Sequence, residues 1–113
     1  MICASLYYQN DLLWRFKIEG HSGYSSHGSD IICAAVSILT FNTVNAITEL
    51  SDEETSIKQI DNSQGLLDCE FPKRKLGSYS EGSQILLDAM ILGLNTIKET
   101  YGENYIQIQT IRR

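Results

Sequence analysis

The chain has 113 residues, too few for two ordinary domains, and we predict a single domain over residues 1–113. Apolar residues make up 42% of it and charged residues 20%, a balance typical of a globular protein and not of a disordered chain. A net charge of −5 argues against a protein that binds nucleic acid by neutralising phosphates. We find no uninterrupted apolar run long enough for a membrane span and no signal peptide, and we expect no membrane partner.

The three cysteines are Cys3, Cys33 and Cys69, and no two of them form a C-x-x-C pair. The spacings typical of zinc sites and of redox dithiols are therefore absent, and we expect no metal and no cofactor. An odd number of cysteines in a chain without an export signal indicates reduced thiols. We therefore expect a cytoplasmic protein.

The first part of the chain predicts a β-hairpin. Apolar residues alternate with polar ones over residues 2–8 and again over residues 12–19, and Asn10-Asp11 is a plausible turn between them. Residues 20–28 are rich in glycine, serine and histidine, which indicates a loop. Residues 31–50 contain neither Gly nor Pro, and they predict a mostly buried helix capped by Ser29 or Asp30.

The second part of the chain predicts two further strands, a helix and a last strand. The strands span residues 57–60 and 66–71, with a turn at residues 62–65. Residues 72–82 are predicted as a solvated loop that carries Lys73-Arg74-Lys75, and we expect no direct contact of this loop with nucleic acid. A helix then begins at Gly82 or Ser83 and ends at Tyr101, and residues 105–110 form a strand.

This element order, ββαββαβ, predicts an α+β fold. We expect a two-layer α/β sandwich in which two helices pack on one mixed sheet.

Cys33 is the residue with the clearest chemical potential. With a helix that begins at Ser29 or Asp30, Cys33 lies in the first turn, where the helix dipole favours a thiolate. His21 ends the second strand and could supply a general acid and base, while Asp30 either caps the helix or orients the imidazole of His21. Backbone N–H groups at the start of this helix could stabilise an oxyanion.

Other interpretations of the same residues stay open at this point. Cys33 could be a small buried hydrophobe, as Cys3 and Cys69 are expected to be within their strands. His27 could be a solvated loop residue, and Ser37, one turn after Cys33, could bond only to its own helix. A zinc site formed by His21, His27 and Cys33, with Asp30 between them, has spacing that matches no compact zinc motif.

The segment from Gly20 to Ser37 reads Gly-His-Ser-Gly-Tyr, a short polar loop, and then Gly-Ser-Asp-Ile-Ile-Cys-Ala-Ala-Val-Ser. This pattern resembles the ribosomal-processing cysteine protease family, Prp. The resemblance implies a small homodimeric α/β protease that removes an N-terminal extension from large-subunit ribosomal protein number twenty-seven. Family members cut after an apolar, aromatic-ended stretch and before an alanine.

The resemblance also implies residue roles. The catalytic histidine falls on His21 and the nucleophile on Cys33, while the family aspartate before the helix falls on Asp30. The glycine-rich loop falls on residues 22–29 and is expected to be mobile. We expect Gly23 and Tyr24 of this loop, together with Ser37, to contact the substrate.

Two other functions would use the same residues differently. A non-enzymatic binding module for ribosome assembly would need Cys33 only for packing. A thiol hydrolase with another substrate would keep the Cys33–His21 pair and change the partner.

Overall fold

The computed structural model describes residues 1–20, 27–61 and 65–113, and for residues 27–30 it describes the backbone alone. The elements in chain order are β1 (Ile2–Gln9), β2 (Leu12–Glu19), α1 (His27–Leu50), β3 (Ser56–Asp61), β4 (Leu66–Glu70), α2 (Pro72–Lys75), α3 (Glu81–Tyr101) and β5 (Ile106–Arg112).

The strands form one mixed sheet in the order β3-β4-β2-β1-β5. β1 pairs antiparallel with β2 and parallel with β5, while β4 pairs antiparallel with both β2 and β3. This confirms the predicted α+β class and the order ββαββαβ, to which the structure adds the short helix α2.

The β1–β2 hairpin forms where the alternation of residues predicts it. Asn10 and Asp11 both have positive φ, at 49° and 67°, as a two-residue type I′ turn requires, and their short polar side chains tolerate that backbone. The alternation places Ala4, Phe16 and Ile18 in the core. The hairpin therefore fixes the centre of the sheet and gives it one apolar face.

The two long helices supply the other half of the core. Their buried side chains join those of the sheet in a single hydrophobic cluster. At their contact, a Cβ on Gly93 would lie 2.8 Å from Cδ2 of Leu39, so the glycine lets α1 approach α3 closely. Met90 lies in the buried face of α3, while Tyr101 at its end is exposed.

Two predictions about α1 are wrong. The helix begins at His27, so Ser29 and Asp30 lie inside its first turn and neither precedes it as a cap. It is not mostly buried either: Ile32 and Val36 face the sheet, whereas Ile31 and Ile38 are exposed. Its segment Ile31–Leu50 is long and apolar enough to cross a membrane by length and composition, a test that core helices also pass.

The predicted solvated loop at residues 72–82 is also wrong in part. Residues Pro72–Lys75 form α2, with proline in the first turn, where its missing N–H costs nothing. Lys73 and Lys75 are exposed, but Arg74 is fully buried. It donates hydrogen bonds to the carbonyl oxygen of Leu13 and to Ser83 Oγ, the latter at 3.0 Å. The middle of this basic run therefore belongs to the protein interior.

Candidate active site

Cys33 lies on α1 at one end of the sheet. Its side chain is half-buried and lines a small cavity, together with side chains and backbone from the start of β1, the end of β2, the start of β4 and α1 itself: Ile2, Ile18, Gly20, Val36, Ser37 and Gly65. Since β1 and β2 are antiparallel, the start of one strand and the end of the other meet at the same end of the sheet. The structure therefore brings Cys33 to the point where the chain leaves β2.

The exit from β2 is fixed by a glycine. Gly20 has φ of +82°, and a Cβ on it would overlap the carbonyl oxygen of Met1. Only glycine has both the backbone freedom and the space for this position. The structure therefore explains why a glycine precedes His21. Gly20 also fixes the point from which the chain continues to His21.

Three of the predicted site residues lie outside the described residues: His21, Gly23 and Tyr24. The backbone of Asp30 lies in α1, three residues before Cys33, but its side chain is not described. Their roles therefore stay predictions. Of the predicted set, the structure describes the side chains of Cys33 and Ser37 and places both on the wall of the same cavity.

The start of α1 changes the predicted environment of Cys33. Because the helix begins at His27, Cys33 is in its second turn and not in the first, so that prediction is wrong. The dipole effect falls off within the first turn, and the N–H groups without helical partners belong to residues 27–30. These groups lie about one to two turns from Cys33 along the helix, so the position gives less support to a thiolate or an oxyanion than expected.

Ser37 connects Cys33 to a larger cavity. It lies one helical turn after Cys33, and its Oγ is 3.6 Å from the position that a Cβ on Gly65 would occupy. It lines the small cavity beside Cys33 and also a cavity of about 400 Å³ between α1 and β3. Its contact with substrate stays a prediction.

The three cysteines, all within the described residues, form no disulfide and occupy different environments. Burial raises the pKa of the Cys69 thiol to about 12, and Asp68 adds to the effect. Cys3 lies on the opposite face of the sheet, with its Sγ 3.9 Å from Ser5 Oγ. The structure thus confirms Cys69 as a packing residue and leaves Cys33 as the cysteine beside the end of β2.

The sequence did not single out Gly65 or the wall of the larger cavity. Gly65 has φ of +64° and faces Ser37 across the small cavity. The only sequence feature that pointed to it was the turn predicted at residues 62–65. No three His, Cys, Asp or Glu side chains cluster as a metal site within the residues that the structure describes. The side chains of His21, His27 and Asp30 are not among those described, so the absence of a metal stays a prediction.

The comparisons with known proteins identify the family of this chain. The family model described as cysteine protease Prp matches residues 1–107. The chain belongs to the Prp cysteine protease family. The ribosomal processing cysteine protease Prp of Staphylococcus aureus (strain Mu50) is 34% identical over 87 residues, 77% of each chain. That of Bacillus subtilis (strain 168) is 33% identical over 89 residues, 79% of each chain.

A solved Prp structure shares the fold. The crystal structure of the S. aureus ribosomal processing protease Prp with a covalently linked product peptide has a TM-score of 0.80 and 27% sequence identity. The match covers 97% of this chain and 99% of that one. The sequence resemblance is thereby confirmed, and the protein is a cysteine protease and not a binding module without enzymatic activity.

Proposed function

We propose that this Prp protein removes the N-terminal extension of a large-subunit ribosomal protein, number twenty-seven, by cutting between an apolar, aromatic-ended stretch and an alanine. The observation that carries the proposal is the position of Cys33 on the cavity wall shared with Gly20, the residue immediately before His21. The named activity of the Prp relatives supports a ribosomal protein as the substrate.

Cys33 is the nucleophile of the proposed reaction. The Cys33 thiol gives its proton to His21 and its sulfur attacks the carbonyl carbon of the scissile bond, and the carbon–nitrogen bond then breaks to leave a thioester on Cys33. His21 protonates the departing amine. A water molecule that gives one proton to His21 then attacks the thioester carbonyl, and the carbon–sulfur bond breaks to release the carboxylic acid. His21 returns its proton to the sulfur, so Cys33 is again a thiol.

His21 contributes more to the activation of the Cys33 thiol than the sequence predicts. The reason is that Cys33 lies beyond the first turn of α1, where the helix dipole has less effect. The backbone of Gly20 has little freedom to move. This supports the proposal that the next residue, His21, acts from one defined position. Asp30, one turn before Cys33 in α1, is assigned to orient His21.

Gly23 and Tyr24 are proposed to contact the peptide from the loop, and Ser37 from α1. Main-chain hydrogen bonds would hold an extended peptide, while apolar pockets would read its side chains. The cavity that Ser37 shares with β3 supports the assignment of Ser37.

We further assign this protein to the cytoplasm, as a homodimer. The thiol state of its three cysteines fits a reducing compartment. Ile85 and Leu92, both strongly exposed on α3, are apolar surface that a dimer would cover. Sedimentation equilibrium tests the dimer: a monomer at micromolar concentration would contradict it.

The test of the function uses a peptide with a fluorophore and a quencher on either side of an apolar, aromatic-ended stretch and its following alanine. Wild-type protein should cleave it after the aromatic residue, as mass spectrometry of the products will show. Cys33→Ala and His21→Ala should lose cleavage while they keep the wild-type circular dichroism. Cys3→Ala, which changes a cysteine on the other face of the sheet, is the matched control and should keep activity. Cleavage of other peptides but not of this one would indicate a thiol hydrolase with another substrate.

A further inference from the structure

The core face of the sheet is left uncovered at its β3 edge. Ala4, Ile18, Leu67 and Ile60 are consecutive cross-strand partners and so share this face. The first three are at most 2% exposed, whereas Ile60 is 53% exposed. The helices therefore cover this row of cross-strand partners as far as β4 and leave Ile60, on β3, exposed.

The next row repeats the pattern. Phe16 and Cys69 are fully buried, and Ile57, the β3 partner of Cys69, is 47% exposed. Monomeric proteins rarely expose two apolar side chains on the core face of an edge strand unless that surface binds another molecule.

The uncovered edge forms one wall of a groove, and α1 forms the other. The α1–β3 groove encloses about 400 Å³ and is lined by Ser37, Ile38, Phe41, Asn45 and Ile60. Ile38 is 71% exposed, although it lies in the middle of α1. None of these lining residues carries a charge, and the volume is within the range of ligand pockets.

The groove is continuous with the candidate active site. Ser37 lines both the groove and the small cavity that contains Cys33. Since a helix rises 1.5 Å per residue, Ile38 and Phe41 lie about 8 and 12 Å from Cys33 along the axis of α1. An extended peptide advances about 3.3 Å per residue, so these distances correspond to about two to four residues.

We propose that the α1–β3 groove is a specificity pocket, which binds a large apolar side chain located two to four residues from the scissile bond on one side of it. This inference rests on the proposed function, because it assigns a place for part of the same peptide. The uncharged lining favours an apolar side chain over a charged one, which would lose its hydration without gaining a partner. Ser37 and Asn45 add side chains to the wall of the groove that can form hydrogen bonds with the main chain of a bound peptide.

The test combines changes in the enzyme with changes in the peptide. Each peptide position up to five residues on both sides of the scissile bond is replaced in turn by alanine, and kcat/KM is measured for the wild type, Ile38→Ser and Ile60→Ser. Both side chains are largely exposed, so these variants should keep the wild-type melting temperature. Leu50→Ser at the end of α1, with 77% exposure against 71% for Ile38, is the matched control.

With the wild type and with Leu50→Ser, alanine at one position two to four residues from the cut should lower kcat/KM by about tenfold or more. In Ile38→Ser and Ile60→Ser the parent peptide should lose a similar factor, and the alanine change at that position should then cost little further. Additive losses, or losses at no position in this interval, would overturn the inference while the proposed function stands. A change of oligomeric state without a change in peptide preference would overturn it too, since the groove would then bind a second copy of the chain. Failure of the wild type to cleave any peptide would instead overturn the proposed function, and this inference with it.

Discussion

Arg74 and Glu53 form a buried ion pair that joins α2 to the loop between α1 and β3. Arg74 Nη1 lies 3.7 Å from Glu53 Oε1, and neither side chain is more than 2% exposed. Glu53 Oε1 also accepts hydrogen bonds from Ser83 Oγ at 2.7 Å and from the Ser80 N–H at 3.2 Å. Burial lowers the pKa of Arg74, and the charge of Glu53 opposes that shift. Each partner therefore makes the burial of the other tolerable.

Glu53→Gln should lower the free energy of unfolding by about 3 kcal/mol, because it leaves the Arg74 guanidinium buried without a counter-charge. Urea unfolding measures the change. Lys98→Met is the control, since Lys98 Nζ also lies 3.7 Å from a carboxylate, that of Glu103, but at the surface. That variant should lose less than about 1 kcal/mol. Equal losses in the two variants would show that the buried Arg74–Glu53 pair contributes no more to the free energy of unfolding than a surface pair does.

Gly20→Ala should destabilise the protein by about 2 kcal/mol or more and reduce cleavage. The added Cβ meets both the positive φ of +82° and the carbonyl oxygen of Met1, in the residue before His21. Gly77→Ala separates the two causes, because Gly77 has φ of +93° with no atom within 4 Å of a Cβ. The control should lose about 1 kcal/mol and keep full activity. Unfolding and peptide cleavage are measured on both variants, and equal behaviour would argue against the Met1 contact.

Alkaline pH should destabilise the protein through Cys69. Burial raises the pKa of this thiol from 9.0 to about 12, so between these values the folded state holds a proton that the unfolded state has lost. Stability therefore falls as pH rises through this window and is unaffected by Cys69 below it. The difference in unfolding free energy between the wild type and Cys69→Ala should be constant at pH 7–8 and shrink above pH 9. A difference that stays constant up to pH 11 would contradict this.

Ionic strength should affect cleavage of basic substrates in particular. The chain carries a net charge of −5, which attracts a basic partner at low salt. A cleavable peptide extended by lysines should lose kcat/KM as salt rises from about 0.05 to 0.5 M, over which the Debye length shortens severalfold. A peptide extended by serines should change little. The same salt dependence for both peptides would exclude steering by the acidic surface.

Local patterns in the sequence predicted most of the fold. Alternation gave β2 its observed bounds, and Asn10-Asp11 supplied the turn that joins it to β1. The resemblance carried by Gly20 to Ser37 identified the family. These features are set by residues close together in the chain, so a single sequence contains them.

Features that depend on distant residues were missed. The burial of Arg74 depends on the Leu13 carbonyl, 61 residues away, and on Glu53, both far from it along the chain. The exposure of Ile60 depends on how far the helices extend over the sheet, which alternation does not reveal. The start of α1 lay in a segment whose glycines and serines favour a loop locally.

The identity of the nucleophile is the central claim, and covalent trapping tests it most directly. A peptide chloromethyl ketone ending in the aromatic residue before the cut is incubated with wild type, Cys33→Ala and Cys3→Ala, and the modified residue is identified by peptide mapping. We predict one adduct per chain, located on Cys33, present in the wild type and in Cys3→Ala and absent from folded Cys33→Ala. An adduct that persists in Cys33→Ala at the wild-type rate, or that maps to Cys3 or Cys69, would contradict the account.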